Sequence, residues 1–217
     1  TMPKGSSNQR SKQTTTAKII LIGDSGSGVG KTAILSRYVQ NKFTSQYKAT
    51  IGADFLSKMV NGTHFDLNIN LQMWDTAGRE RFASLGNAFY RGADAALLVY
   101  DVKQKKTFES LKLWKEGLEQ ILGTGAEKCV MVLVANKVED GVDRQVSTKE
   151  GKELATFWNM LYYEVSAKEG TGIHEMFASI IERLETPLFK QQQQLHTSLT
   201  ANSNASLLRK FCSWLGV

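Results

Sequence analysis

The stretch Lys18-Ile19-Ile20-Leu21-Ile22-Gly23-Asp24-Ser25-Gly26-Ser27-Gly28-Val29-Gly30-Lys31-Thr32 decides the fold. Ile19 to Ile22 form a continuous apolar run, the pattern of a strand buried on both faces. Glycine-rich chain follows at once, and Ile34, Leu35, Tyr38 and Val39 then recur at helical spacing. A buried strand that runs through glycines ending in Gly-Lys-Thr and into a helix is a phosphate-binding loop. The glycines let successive backbone N–H groups turn toward phosphate oxygens, and the helix N-terminus adds its positive dipole end. Lys31 reaches the outer phosphates and Thr32 offers a hydroxyl to Mg²⁺. Nucleotide binding is thereby assigned to Ser25, Gly26, Ser27, Gly28, Val29, Gly30, Lys31 and Thr32.

Working outward, strand and helix patterns keep alternating. Phe65, Leu67, Ile69, Leu71 and Met73 alternate with polar residues, which predicts a half-buried strand. Ala95 to Asp101 and Cys129 to Ala135 are apolar runs of central-strand length, and Tyr162 to Val165 is a shorter one. Between them, Leu111, Trp114, Leu118, Ile121 and Leu122 mark a helix, and Ser147 with Glu150 forms a capping-box pattern at the start of another. Ile173, Met176, Phe177, Ile180, Ile181 and Leu184 make one helix face. Such alternation predicts an α/β fold with a mostly parallel sheet covered on both sides, its ligand at the strands' carboxyl ends. Trp74-Asp75-Thr76-Ala77-Gly78 closes one of those strands. It places the Asp75 carboxylate where magnesium needs a contact through water, and the Gly78 N–H within reach of a terminal phosphate.

The 217 residues suit one domain with tails. A net charge of +6 suggests a nucleic-acid binder until it is divided along the chain. Residues 1–18 and 187–217 carry seven basic side chains and no acid, so the body between them stands at −1 and no basic face for a duplex is implied. The basic ends exert at most a weak pull toward anionic lipid. Two cysteines, Cys129 and Cys212, are too few for a disulfide framework and point to a reducing compartment. Residues 1–17 and the Gln-rich stretch near Gln191 lack periodicity. The expected organisation is a disordered N-terminal tail at 1–17, a nucleotide-binding domain at 18–186 and a mostly disordered, hypervariable tail at 187–217. No run long enough to span a membrane is present.

With these motifs in order, the sequence resembles a small GTPase of the Ras superfamily, and within it a Rab. The resemblance is carried by Tyr47-Lys48-Ala49-Thr50-Ile51-Gly52-Ala53-Asp54-Phe55-Leu56, by Trp74 to Gly78 with Arg81-Phe82, by Ala88-Phe89-Tyr90-Arg91-Gly92-Ala93-Asp94, and by Ser166-Ala167-Lys168-Glu169. The first and third of these look closest to the late-endosomal and lysosomal subgroup. The resemblance implies a P-loop NTPase G domain with a six-stranded sheet, GTP or GDP and Mg²⁺ as ligands, and hydrolysis of the β–γ phosphoanhydride. It implies Mg²⁺ contacts from Thr32, Thr50 and Asp75, and a Thr50 loop that releases when the terminal phosphate is lost. Phe43 matches the aromatic that packs on guanine, with Tyr47 in the same nucleotide-binding loop. Asn136, Lys137 and Glu139 match the base-recognition motif, and Ser166, Ala167 and Lys168 complete the base pocket. Phe55, Trp74 and Phe89 match an effector-binding aromatic triad. Effectors, an exchange factor and a GTPase-activating protein are the implied partners of a chain expected to be a monomer. The implied place is the cytoplasmic side of endosomal or lysosomal membranes, with a cytosolic pool.

Three departures from that pattern fall on nucleotide-handling motifs. Gly23 lies seven positions before Gly30 where the family has five, as though Ser-Gly had been inserted; either the extra pair bulges outward and leaves Gly28 to Thr32 on the phosphates, which is the favoured expectation, or Ser25 takes the first glycine's place. Arg79 stands where the family has the glutamine that orients the attacking water, and arginine offers no acceptor. Hydrolysis resting on Lys31, Gly78 and Arg79 is therefore expected to be slow, with a non-hydrolysing GTP-binding scaffold as the alternative. Glu139 replaces the aspartate that accepts two hydrogen bonds from guanine, with Asp140 beside it.

At the other end, Lys210-Phe211-Cys212-Ser213-Trp214-Leu215-Gly216-Val217 holds its cysteine two positions too early for a C-a-a-X box. Cys212 remains a candidate for lipidation. Leu207, Phe211 and Leu215 share a helical face that suits a membrane interface.

Overall fold

The computed structural model describes residues 13–24, 28–46, 48–50, 52–76, 88–139 and 141–215, from 195 onward by backbone alone. Strand β1, Gln13–Ile22, lies at the middle of a six-stranded sheet, paired in parallel with β3, Leu67–Thr76, on one side and with β4, Ala95–Asp101, on the other. β2, Ala53–Asn61, is an antiparallel edge strand on β3. β5, Val130–Asn136, and β6, Leu161–Val165, continue the sheet in parallel, so the order is β2-β3-β1-β4-β5-β6. The reversal of strand order beside β1 opens a crevice at the carboxyl ends of β1 and β4, the place such sheets bind ligands.

Helices cover both faces, as the alternation predicts. α1, Lys31–Gln40, and α5, Ile173–Leu215, enclose a core with Ile19, Leu21, Leu71, Met73, Leu97 and Phe177. On the opposite face, α2, Lys105–Glu109, α3, Leu111–Leu122, and α4, Thr148–Phe157, close over Ile20, Ile22, Leu98, Tyr100 and Leu133. Odd and even residues at the end of β1 thus enter different cores, which is why Ile19 to Ile22 are continuously apolar rather than alternating. The capping box predicted at α4 is present: Ser147 accepts from the Glu150 N–H, and the Glu150 carboxylate accepts from the Ser147 N–H.

Both ends of the domain differ from the expected boundaries. β1 begins at Gln13, inside the stretch 1–17 expected to be a disordered tail, because Gln13 to Thr16 run beside Leu67 to Asn70 of β3. Composition alone conceals this, since edge-distal ladder positions tolerate Thr and Gln. At the other end, α5 runs on as helical backbone as far as Leu215, into the stretch 187–217 expected to be mostly disordered, with Pro187 inside it. The first turns past the proline have partners: Leu188 is buried, Phe189 stacks on Phe65 with ring centroids 4.2 Å apart, and the Gln192 amide donates to the Thr14 carbonyl. Burying one such apolar side chain contributes roughly 1.5–3 kcal/mol, so Leu188 and the Phe189 stack together match the cost of about 3 kcal/mol for a proline inside a helix.

Candidate functional site

The loop after β1 closes on the first turn of α1 at Gly30, which takes a left-handed conformation with φ 97°. A Cβ at that position would meet the Asn136 amide nitrogen at 2.3 Å, so only glycine brings α1 this near the tip of β5. Lys31, the next residue, is buried, and its ammonium donates to the Gly23 carbonyl at 2.7 Å, bending over the loop. Burial pushes the Lys31 ammonium down to about 8, opposed by the carboxylates of Asp75 and Asp24. A desolvated cation with acidic neighbours at a distance is poised for a stronger anion.

Three oxygen donors converge beside it. The Thr32 hydroxyl donates to the Asp75 carboxylate, the Thr50 hydroxyl reaches the same carboxylate oxygen at 3.2 Å, and the two hydroxyls are 3.1 Å apart. Asp75 is almost wholly buried at the end of β3, and its second carboxylate oxygen, Oδ1, has no partner among the described residues. Burial raises its pKa, opposed in turn by Thr32, Lys31 and Thr50. An orphaned buried carboxylate oxygen among hydroxyls is a hard-oxygen environment, which fits Mg²⁺.

The other end of the same crevice is built by the tips of β5 and β6. Asn136, buried, donates to the Val29 carbonyl at 2.8 Å and accepts from the Ala167 N–H at 3.2 Å, tying the phosphate loop to the β6 end. Lys137 follows with φ 72°, unusual for a side-chain-bearing residue, and its ammonium meets the buried Asp101 carboxylate at 2.7 Å. Its stem is thereby laid along the wall. The Ser166 hydroxyl donates to Glu139 at 2.8 Å and accepts from the Glu169 N–H at 3.0 Å, which fixes the carboxylate in place. From α1, Arg37 holds the Ala167 and Lys168 carbonyls at 3.0 and 2.7 Å.

These parts enclose one cavity of about 510 Å³, lined by Gly28, Val29, Gly30, Lys31, Thr32, Phe43, Thr50, Asn136, Lys137, Glu139, Ala167 and Lys168. Of the residues singled out in the sequence, these described ones lie together, with Asp75 and Ser166 joined to the lining by their hydrogen bonds. Phe43 is partly exposed at the rim. Ser25, Gly26, Ser27, Tyr47, Gly78, Arg79 and Asp140 lie outside the described residues, as does the Cys212 side chain. Phe55, Trp74 and Phe89 form a continuous strip, with centroids 5.0 Å apart from Phe55 to Trp74 and 5.4 Å from Trp74 to Phe89. Phe55 is exposed, while Trp74 and Phe89 also pack against the second core. Sequence reasoning gave no role to Asp24, Arg37 or Asp101. Asp101 ends β4 at the ligand side of the sheet, and that position was the available signal.

Comparison with known proteins agrees with this geometry. Residues 18–186 match the family described as the Ras family. Ras-related protein RABG3f of Arabidopsis thaliana is 51% identical over 174 residues, covering 78% of this chain and 82% of its own. Ras-related protein Rab7 of Cenchrus ciliaris is 48% identical over 176 residues, with 79% and 84% covered. GTP-binding protein yptV5 of Volvox carteri is 46% identical over 168 residues, with 75% and 79% covered.

Proposed function

Because the chain belongs to the Ras family, and within it is a Rab-type GTPase that binds GTP and GDP with Mg²⁺ and hydrolyses GTP, we propose that it switches a transport step at late-endosomal or lysosomal membranes. The observation that carries the reading is the meeting of Thr50 with Thr32 and Asp75 at one end of a cavity whose other end is closed by Asn136, Glu139 and Ala167. Phosphate and base ends lie in one crevice, and the loop bearing Thr50 is drawn in at the phosphate end.

The roles follow from position. Lys31 and the N–H groups from Gly28 to Thr32 hold the phosphates, the hydroxyls of Thr32 and Thr50 face the metal, and Asp75 orients them. Thr32 and Thr50, aligned by Asp75, would hold Mg²⁺, which would supply positive charge against the developing charge of the transferring phosphoryl group. Phe43 and the Lys137 stem flank the base, and Glu139, Asn136, Ser166, Ala167 and Lys168 meet its edge. Thr50 contacts the ligand side only while the terminal phosphate is present, and its release loosens the loop leading into Phe55. Phe55, Trp74 and Phe89 then form the surface by which effectors distinguish the two states. The chain acts as a monomer that exchange and activating proteins regulate. Among the described residues no helix is long and apolar enough to cross a membrane. Membrane contact instead falls to the basic tail and Cys212, with a cytosolic pool when the tail is released.

Identifying the nucleotide that co-purifies with the chain tests the reading. Guanine nucleotide is expected, and Thr50→Ala should keep GDP while losing GTP-dependent effector capture. A folded chain that takes up no fluorescent guanosine analogue at saturating magnesium would sink it. Flotation of the tail with anionic liposomes tests the membrane part.

A further inference from the structure

We propose that Trp114 is a positioning residue for the phosphate end of the site: its indole N–H restrains the Asp24 carboxylate, so that a negative side chain stands beside the phosphate loop without opposing the polyphosphate. This rests on the nucleotide reading above and adds to it a residue outside the cavity. Trp114 lies on α3 and is buried in the second core with Leu111 and Leu118. Its Nε1 donates to Asp24 Oδ1 at 3.1 Å, a contact between residues 90 positions apart. Asp24 directly follows Gly23, whose carbonyl holds the Lys31 ammonium, and it lines the same cavity as Lys31 and Thr32. Its charge is close enough to support the protonated form of Lys31.

A carboxylate in that place has two alternatives to the indole. Turned toward Lys31, it neutralises the cation that the phosphates require; turned toward the ligand, it repels it. An indole N–H is a donor only, carried on a ring that the core holds rigid, so it keeps the carboxylate in one orientation. The tether also fixes the position of Asp24 beside Gly23 at the start of the lengthened loop. Loss of the tether is therefore felt in proportion to the negative charge on the ligand, and less at high salt.

The test uses the full chain loaded with fluorescent GTP or GDP analogues in Mg²⁺ and chased with unlabelled nucleotide. Trp114→Phe keeps most of the ring and removes the donor; release of the triphosphate is expected to quicken about tenfold and of the diphosphate about threefold, with raised ionic strength narrowing the gap. Adding Asp24→Asn is expected to restore both rates, because no charge is left to restrain. A purely packing role predicts the opposite: both nucleotides leave faster by the same factor, salt has no effect, and Asp24→Asn rescues nothing. That result overturns the proposal, as do unchanged rates in Trp114→Phe. Trp114→Leu, which likewise removes the donor, gives the same comparison where the phenylalanine variant does not fold. Failure of the unaltered chain to bind either analogue overturns the nucleotide reading itself, and this inference with it, whereas normal binding without rescue confines the failure to Trp114 and Asp24.

Discussion

Glu185 lies so close over Gly62 that a Cβ on the glycine would stand 2.2 Å from the carboxylate Oε1. The same carboxylate, fully buried, accepts the backbone N–H groups of Thr63 and His64 at 2.9 Å each and of Phe65 at 2.7 Å. One side chain of α5 thus caps the whole turn between β2 and β3. That turn sets the register of the strand pair whose far end carries Asp75, Trp74 and Phe55. Glu185→Ala strands three N–H donors and is expected to cost about 3 kcal/mol, read as a lower midpoint in chemical denaturation. Gly62→Ala should be comparably destabilising, and a variant as stable as the parent would show that the turn can move aside.

The acid limb of stability should report the same carboxylate. Burial pushes the Glu185 pKa up, but the N–H groups of Phe65, Thr63 and His64 outweigh it and hold the pKa below the usual glutamate range. A depressed carboxyl stabilises the fold above its unfolded value of about 4.3 and loses that contribution as pH falls through the folded value. Glu185→Gln should therefore be less stable than the parent at pH 6, with the difference shrinking steadily below about pH 4. A constant difference across that window would mean the charge plays no part.

The sheet was legible because each central strand is a short apolar run bounded by polar chain, and the helices show a clean apolar face. The site was legible for a related reason: it sits at strand ends, so Thr32, Asp75 and Asn136 each follow a recognisable strand or loop. What escaped were contacts that join distant parts of the chain. Glu185 looks like an ordinary solvent-facing glutamate beyond Leu184 until β2 and β3 are laid against α5. Thr14 and Thr15 look like tail until Asn68 and Ile69 are beside them. Trp114 fits a helix face whether or not Asp24 lies above its ring nitrogen. Local pattern encodes burial well, but a hydrogen bond across 90 or 120 positions leaves no period to read.

Magnesium removal tests the three-oxygen cluster. Chelation should speed nucleotide release from the parent about tenfold or more, in line with the loss of a metal's outer contacts. Asp75→Ala should release rapidly with or without chelator, because Thr32 and Thr50 lose the carboxylate that aligns them. Release from Asp75→Ala that still responds fully to chelation would separate the aspartate from the metal.

Base preference should be weakened and retained. Glu139 is one methylene longer than the aspartate of the family pattern, yet Ser166 pins it at 2.8 Å on the cavity wall. Wholly paired polar edges discriminate by roughly 10⁴ to 10⁵, and an offset carboxylate forfeits part of that. Glu139→Asp should widen the GTP-over-ATP ratio in competition binding by about tenfold. ATP competing as well as GTP against the parent protein would reject a guanine site.

Hydrolysis depends on how the water is aimed, and Arg79 is the departure that bears on it. A glutamine amide can accept from the attacking water and donate to the phosphoryl oxygen, whereas a guanidinium only donates. Positive charge near the transferring group still stabilises it, as supplied arginines do, but that does not replace alignment of the nucleophile. The parent should therefore persist in its GTP-bound form, and Arg79→Gln should raise the single-turnover rate of phosphate release by about tenfold or more. Nucleotide affinity should stay the same in both proteins, since the substitution concerns the reacting water and not the seat of the phosphates. Equal turnover in the two would place the rate limit elsewhere. Absence of phosphate from either, with GTP firmly bound, would instead favour a scaffold that holds the triphosphate without cleaving it.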